Sequence, residues 1–332
     1  MTNPVNMTEV WRGQILESLH LGHAVVCDSS GDIVEVWGNP DQVIYPRSSC
    51  KMVQALPLIE SGAAAAAGLR QDQLALACAS HIGAAMHTGR VSDWLTDLGL
   101  AEPDLRCGPQ EPSDIEARNG LIRAHEAPCQ LHNNCSGKHA GFLTYTKHIA
   151  AGPDYVDPAH PLQIAVKQAF EEVTGQDSPG YGIDGCSAPN FATTVHGLAR
   201  AMAFFANASE GSGDSRSRAA AQLFQAMTAF PELVAGEGKA CTELMRATNG
   251  KVAVKTGADG VYVAIIPEKK LGVALKISDG ARRGSECAIA AILVRLGVLD
   301  ARHPAVLNYM NAPILNRRGL KCGYVRPAAA LI

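Results

Sequence analysis

Nowhere in its 332 residues does this chain carry an uninterrupted apolar run near the ~18 residues needed to cross a bilayer. It also lacks an excess of either charge. A balance of 29 basic against 32 acidic residues leaves −3, which removes the electrostatic reason to expect nucleic acid or an anionic membrane as partner. The opening stretch, Met1 to Gly22, is polar and broken by Asn3, Arg12, Glu17 and His20, so the basic end and apolar core of a secretory signal are missing. A cytoplasmic location is the expectation. There is no internal repeat and no long linker, and the chain is expected to form a single domain over 1–332.

What is present is ordinary globular composition, 47% hydrophobic and 18% charged, at a length that can bury a large core. Ten cysteines are spread widely with no tight framework, and in the cytosol they are expected to be reduced. Cys27, Cys78 and Cys287 sit in apolar segments and read as small buried hydrophobes.

Two β-rich runs, His23 to Asp28 and Ile33 to Trp37, are joined by Ser29-Ser30-Gly31-Asp32, which predicts a hairpin. A helix is expected from Ser48 or Ser49, with Pro57 bending or ending it. The Ala-rich stretch Ser61 to Gly68 reads as helix or helix connection, and Leu162 to Val173 repeats at helical spacing before Gly175. Ala206 to Ser217 reads as a surface loop. Runs at Lys251 to Lys255, Val261 to Pro267 and Leu271 to Ser278 predict an antiparallel meander. A helix capped by Ser285 follows to Leu296, and the tail from His303 reads as irregular.

The fold class is thus α+β, an α/β sandwich. Hairpin and meander (about 20–45 and 250–332) share one antiparallel sheet across roughly 200 intervening residues, with a largely helical insertion over about 50–245. A catalytic site between sheet and insertion is the expected arrangement.

Ser48 and Lys51 form an S-x-x-K element, spaced to share one helical face. A serine hydroxyl needs a base, and a buried lysine with a lowered pKa can be one. Common as that spacing is, Lys255-Thr256-Gly257 closes the first meander strand as the K-T-G element does in the penicillin-recognising serine enzymes. Ser80-His81-Ile82 supplies the middle serine but no S-D-N or S-x-N. The resemblance implies a serine β-lactamase-like fold and an acyl-enzyme, with the Ser48 and Ala258 N–H groups as oxyanion donors. Separately, Cys135, Cys186 and His139 supply thiol and imidazole groups that suit zinc, although no C-x-x-C pair supports them.

Pro46-Arg47-Ser48-Ser49-Cys50-Lys51, Ala79-Ser80-His81, His132 to Gly141 (HNNCSGKHAG), Gly182 to Pro189 (GIDGCSAP) and Lys255 to Gly260 (KTGADG) together resemble the asparaginase II family, the Rhizobium-type, class 3 L-asparaginases. That resemblance spans nearly the whole chain. It implies hydrolysis of L-asparagine by two Ser-Lys tandems, Ser48 with Lys51 and Ser80 with Lys255. It also changes the metal set to Cys135, Lys138 and Cys186 around Zn²⁺, with water in fourth place. His139 then becomes a substrate contact. Arg47 for the α-carboxylate and Asp184 for the α-ammonium are the candidate ion partners, with Ala258 beside them. Arg47 as a surface ion pair and Asp184 as a turn residue are the simpler readings of those two. His132 reads as structural. A homodimer is implied by the family alone. Rival functions are a β-lactamase or D,D-peptidase, and a zinc- or amino-acid-binding protein without turnover.

Overall fold

The computed structural model describes residues 3–211 and 213–332. Met1 and Thr2 of the polar opening stretch, and Ser212 of the expected surface loop, lie outside the described residues. The chain falls into two compact units. One comprises Met1–Ser49, Thr193–Asn207 and Glu243–Ile332; the other comprises Cys50–Ala192 and Ala208–Thr242.

The first unit is built on an eight-stranded antiparallel sheet. Its order is Ala312–Leu315, Lys321–Pro327, Val5–Arg12, Ile15–Cys27, Leu271–Ile277, Val261–Ile266 and Ala253–Gly257, with Ile33–Trp37 also paired to Ile15–Cys27. The expected hairpin is there, its turn held by Gly31 N–H donating to Asp28 O at 2.9 Å. The meander is there too, and Val25 opposite Ala274 marks the long-range pairing of the two. Val261–Ile266 is buried at every position, so it reads as a continuous apolar run and not an alternating one. The helices Val195–Asn207 and Arg282–Arg295 both pack on these strands. At Gly272 the helix backbone comes so close that an added Cβ would lie 2.0 Å from Ala203 N and 2.4 Å from Ala199 O.

Three expectations need correction here. The first hairpin strand begins at Ile15, and another strand, Val5–Arg12, precedes it. A bulge between Asn6 and Thr8 places Met7 and Thr8 both inside, breaking the alternation that would have revealed the strand. The tail is regular: a short helix, Pro304–Leu307, is followed by strands Ala312–Leu315 and Lys321–Pro327. Lys321–Pro327 forms because pairing with Val5–Arg12 on one side and Ala312–Leu315 on the other satisfies its backbone and lets Val325 pack with Val10 and Cys287. The last helix starts at Arg282, and Ser285 lies inside it, its hydroxyl donating to Arg282 O at 3.0 Å. The residue ahead of the helix is Ala281, whose N–H donates to Asp279 Oδ1 at 2.9 Å.

The second unit is mainly helical. Lys51–Gln54 and Leu56–Glu60 are two short helices, with Pro57 in the first turn of the latter, where its missing N–H costs nothing. Pro161–Thr174 ends on Gly175 at φ 65°, as the spacing predicts. The helix Ser136–His148 is buried along its first nine residues. Gly137 permits this, because a Cβ there would stand 2.4 Å from Leu76 O. Both ends of the expected loop Ala206 to Ser217 are helical: Ala206 and Asn207 finish the helix Val195–Asn207, and Ser215 to Ser217 begin the helix Ser215–Ala229. Among the described residues no helix is long and apolar enough to cross a membrane.

Candidate active site

The residues singled out by sequence divide between the units. Arg47, Ser48, Lys255 and Ala258 belong to the first; Lys51, Ser80, Cys135, Lys138, His139, Asp184 and Cys186 belong to the second.

In the first unit, Arg47–Cys50 forms a single 3-10 turn rather than the start of an α-helix. Ser49 closes it, with N–H at 3.2 Å and hydroxyl at 2.8 Å from Pro46 O. Arg47 enters the turn at φ 54°, a left-handed backbone that costs a non-glycine residue energy and recurs at functional sites. The strand Ala253–Gly257 ends against this turn. A Cβ on Gly257 would meet Pro46 O at 2.4 Å and Ser49 N at 2.9 Å, so only glycine lets the K-T-G strand come this close. Lys255 is fully buried and its ammonium donates to Thr256 O at 3.0 Å.

Beside the turn lies a cavity of about 480 Å³, lined among others by His23, Tyr45, Arg47, Ala258, Asp259 and Lys276. Arg47 is 4.0 Å from the Asp259 carboxylate, and Lys276 donates to Asp259 O. Burial, reinforced by the Arg47 cation, holds the Lys276 ammonium below its ordinary range against the pull of Asp259 and Asp279. Lys276 carries no motif of its own, and only the fold brings it and Asp259 to Arg47.

In the second unit Lys51 is buried at 1% exposure, and its ammonium donates to Ser80 Oγ at 2.9 Å and to Ala79 O. The serine segment is tied at each residue: Ser80 N–H donates to Val234 O at 2.8 Å and His81 N–H to Asn134 O at 3.1 Å. The His81 ring accepts from Gly83 N–H at 3.1 Å and stands 2.9 Å from Ser136 Oγ. Burial holds His81 well below the usual imidazole range, with the stacked His87 adding to the effect.

Cys135, Lys138 and Cys186 converge. Cys135 precedes the helix Ser136–His148, Lys138 lies in its first turn, and Cys186 sits in the hairpin between Tyr181–Ile183 and Pro189–Phe191. Lys138 donates to Cys186 Sγ at 3.1 Å, and all three are buried. The Cys135 thiol donates to Asn134 Oδ1 at 2.9 Å; its contact with Cys186 pulls the Cys186 pKa far down against the cost of burial, and the Lys138 cation helps. The same contact, with burial, pushes Cys135 up. Burial opposes the charge on Lys138, but the two sulfurs outweigh it and raise that amine. Cys50, to which the sequence reading attached no role, lies in the same electrostatic neighbourhood; burial drives its thiol up to about 12.

Two thiols and an amine around one point suit a soft, tetrahedral ion such as zinc, so the donor set fits that metal. Among the described residues no group of three or more His, Cys, Asp or Glu is placed to hold an ion, and this set reaches three donors only by counting Lys138. His139 is completely buried, with burial holding its imidazole down at about 4 against Cys186, which raises it. Asp184 is half-buried at the hairpin turn, its Oδ1 accepting from Gly185 N–H at 2.6 Å and its backbone N–H donating to Ala188 O. The turn role expected of it is therefore real. His132 is held by Cys129, whose N–H donates to its Nδ1 at 3.1 Å, which fits a structural part.

An α+β chain with an antiparallel sheet thus carries a buried lysine on a serine hydroxyl and a converging thiol–amine set. The chain belongs to the L-asparaginase II family, whose model matches residues 8–327. No curated protein matches it in sequence. Among solved structures it is similar to Mglu in its tris and glutamate form (13% identity, TM-score 0.48, 84% of this chain and 59% of that one). It is similar to a β-lactamase from Mycobacterium bovis (14%, TM-score 0.44, 82% and 94%) and to the octameric penicillin-binding protein homologue from Pyrococcus abyssi (13%, TM-score 0.38, 85% and 74%). Likenesses this distant carry no inference about chemistry.

Proposed function

We propose that this chain is an L-asparaginase, hydrolysing the side-chain amide of L-asparagine to L-aspartate and ammonia through a serine acyl-enzyme. The observation that carries the reading is family membership over residues 8–327 with Ser48, Lys51, Ser80 and Lys255 all intact. In this scheme the Ser48 oxygen attacks the amide carbon and its proton passes to Lys51. Ser80, tuned by Lys255, delivers a proton to the departing ammonia, and water then releases aspartate. The Ser48 and Ala258 N–H groups face the developing oxyanion. Arg47 receives the α-carboxylate and Asp184 the α-ammonium, with His139 as a further contact.

Cys135, Lys138 and Cys186 would hold one zinc ion per chain, which supplies a Lewis acid that orients substrate. Elemental analysis of protein purified without added metal should find zinc near one per chain, and Cys135→Ser should lose it. Absence of zinc from both, with no response to added zinc, removes the site. A cytoplasmic homodimer completes the proposal, and sedimentation tests the dimer.

The deciding experiment is ammonia release from asparagine by the wild type, Ser48→Ala and Ser80→Ala. Loss of turnover and of the acyl-enzyme in Ser48→Ala is expected, with Ser80→Ala slowed by about 10²-fold or more. The Lys51–Ser80 hydrogen bond favours a second reading in which Ser80 attacks. Mass spectrometry of the trapped acyl-enzyme separates the two. Turnover of a chromogenic cephalosporin with none of asparagine would replace both by a β-lactamase reading.

A further inference from the structure

Strand pairing brings two further donors into the cavity that Arg47 lines. His23 and Lys276 stand directly opposite one another in the register of Ile15–Cys27 and Leu271–Ile277, so both side chains leave the same face of the sheet, with Cβ atoms about 5 Å apart. Both line the cavity of about 480 Å³. His23 is buried, and its Nδ1 accepts from Asn39 N–H at 2.9 Å. Gly38 allows that approach, since a Cβ there would stand 2.4 Å from Nδ1. A backbone N–H can only donate, so Nδ1 carries no proton and the neutral ring keeps its proton on Nε2. Burial favours that neutral form by holding the imidazole below its ordinary range. Asn39 N–H is the one hydrogen-bond partner of this ring among the described residues, which leaves Nε2 as a donor. Lys276 is tethered through one of its three N–H groups, which donates to Asp259 O. The carboxylate of the same Asp259 is 4.0 Å from Arg47, so one residue holds the two cations side by side. The charged side chains of the cavity are then Arg47 and Lys276 against the exposed Asp259, an excess of positive charge.

We infer that Lys276 and His23 join Arg47 in binding the α-carboxylate of the substrate, which makes this cavity the pocket that selects an α-amino acid over a simple amide. Two cations and a fixed N–H donor on one concavity match an anion with two acceptor oxygens. Ala258 lines the same cavity, so the proposed oxyanion donor stands beside the carboxylate pocket. The inference rests on the asparaginase reading for the identity of the ligand, but not for the convergence of the donors. Neither residue lies in a motif, because the two meet only through sheet pairing.

Kinetics with L-asparagine test it, together with calorimetric titration of L-aspartate, which needs no turnover. Lys276→Met should raise KM by about ten- to hundredfold with kcat changing less, and Lys276→Arg, which keeps the cation, should recover most of the loss. His23→Asn keeps an acceptor for Asn39 N–H but has no donor at the Nε2 position, and should raise KM by about tenfold. Aspartate affinity should fall in step. The probe 3-aminopropanamide is asparagine without its α-carboxylate, so the ratio of kcat/KM for asparagine to that for the probe should drop by the same factor. Unchanged KM and aspartate affinity in Lys276→Met overturn the inference, and so does an equal loss for the two amides. Should Lys276→Met not fold, His23→Asn decides by the same readings. If the wild type hydrolyses no asparagine, the asparaginase reading fails and the aspartate titration decides the site. Affinity that both variants weaken then keeps the inference; no binding, or binding indifferent to them, overturns it.

Discussion

On the proposed function, Lys51 is a single side chain placed for chemistry at the expense of stability. Its ammonium is buried and held by Ser80 Oγ and Ala79 O, so most of its hydration is lost for two hydrogen bonds. Buried charges seldom add net stability, and replacement by an apolar chain of similar volume is often neutral or better. Lys51→Met is therefore expected to lose asparaginase activity by roughly 10² to 10⁴-fold while its melting temperature stays level or rises. Paired kinetics and calorimetry check this; a melting temperature that falls steeply would make Lys51 a structural residue first. The S-x-x-K and K-T-G spacings were legible because both are local in the chain. Lys51 as a hydrogen-bond partner of Ser80, 29 residues on, was not.

Two glycines separate positioning from support at the level of elements. Gly257 lets the K-T-G strand abut the turn that carries Ser48, and Gly272 lets the helix Val195–Asn207 lie directly on its strand. Both face backbone atoms, which cannot rotate away, so an added methyl forces the elements apart at a cost of about 1–3 kcal/mol. Gly272→Ala should show chiefly as a lower denaturation midpoint with near-normal kinetics in the remaining folded protein. Gly257→Ala should lose activity out of proportion to its stability, because the displaced strand carries Lys255 and leads directly into Ala258. Equal stability and activity losses in the two variants would refute that division. In the sequence each glycine is simply a weak point in a strand pattern, and the close approach behind it is a tertiary fact.

At the scale of the whole molecule, the buried histidines make stability depend on pH. Burial holds His81 and His87 below the ordinary imidazole value of 6.5, so the folded chain binds these protons later than the unfolded one. Their contribution is thus present above pH about 6.5 and lost as the pH falls below it, by about 1.4 kcal/mol per unit for each proton while only the unfolded chain is protonated. Urea midpoints should fall between pH 7.5 and 5.5, and His87→Gln should flatten the slope. A midpoint independent of pH in that window would mean that neither group resists protonation.

The sequence by itself determined the α+β class, the hairpin and meander, and the residues worth testing. Periodicity and turn chemistry are local, and the motifs are contiguous words. It did not reveal Val5–Arg12, whose pattern is blurred by a bulge, or the C-terminal strands, whose backbone is satisfied only by pairing with each other and with that strand. Nor did it determine what each site side chain touches. The approach of Cys186 to Lys138, of Tyr155 to His139 and of Lys276 to Asp259 depends on packing between different elements, which no local pattern encodes. Burial together with neighbouring charges and hydrogen bonds then shifts the protonation of Lys138, Cys186, His139 and Lys276, and that surrounding belongs to the folded molecule alone.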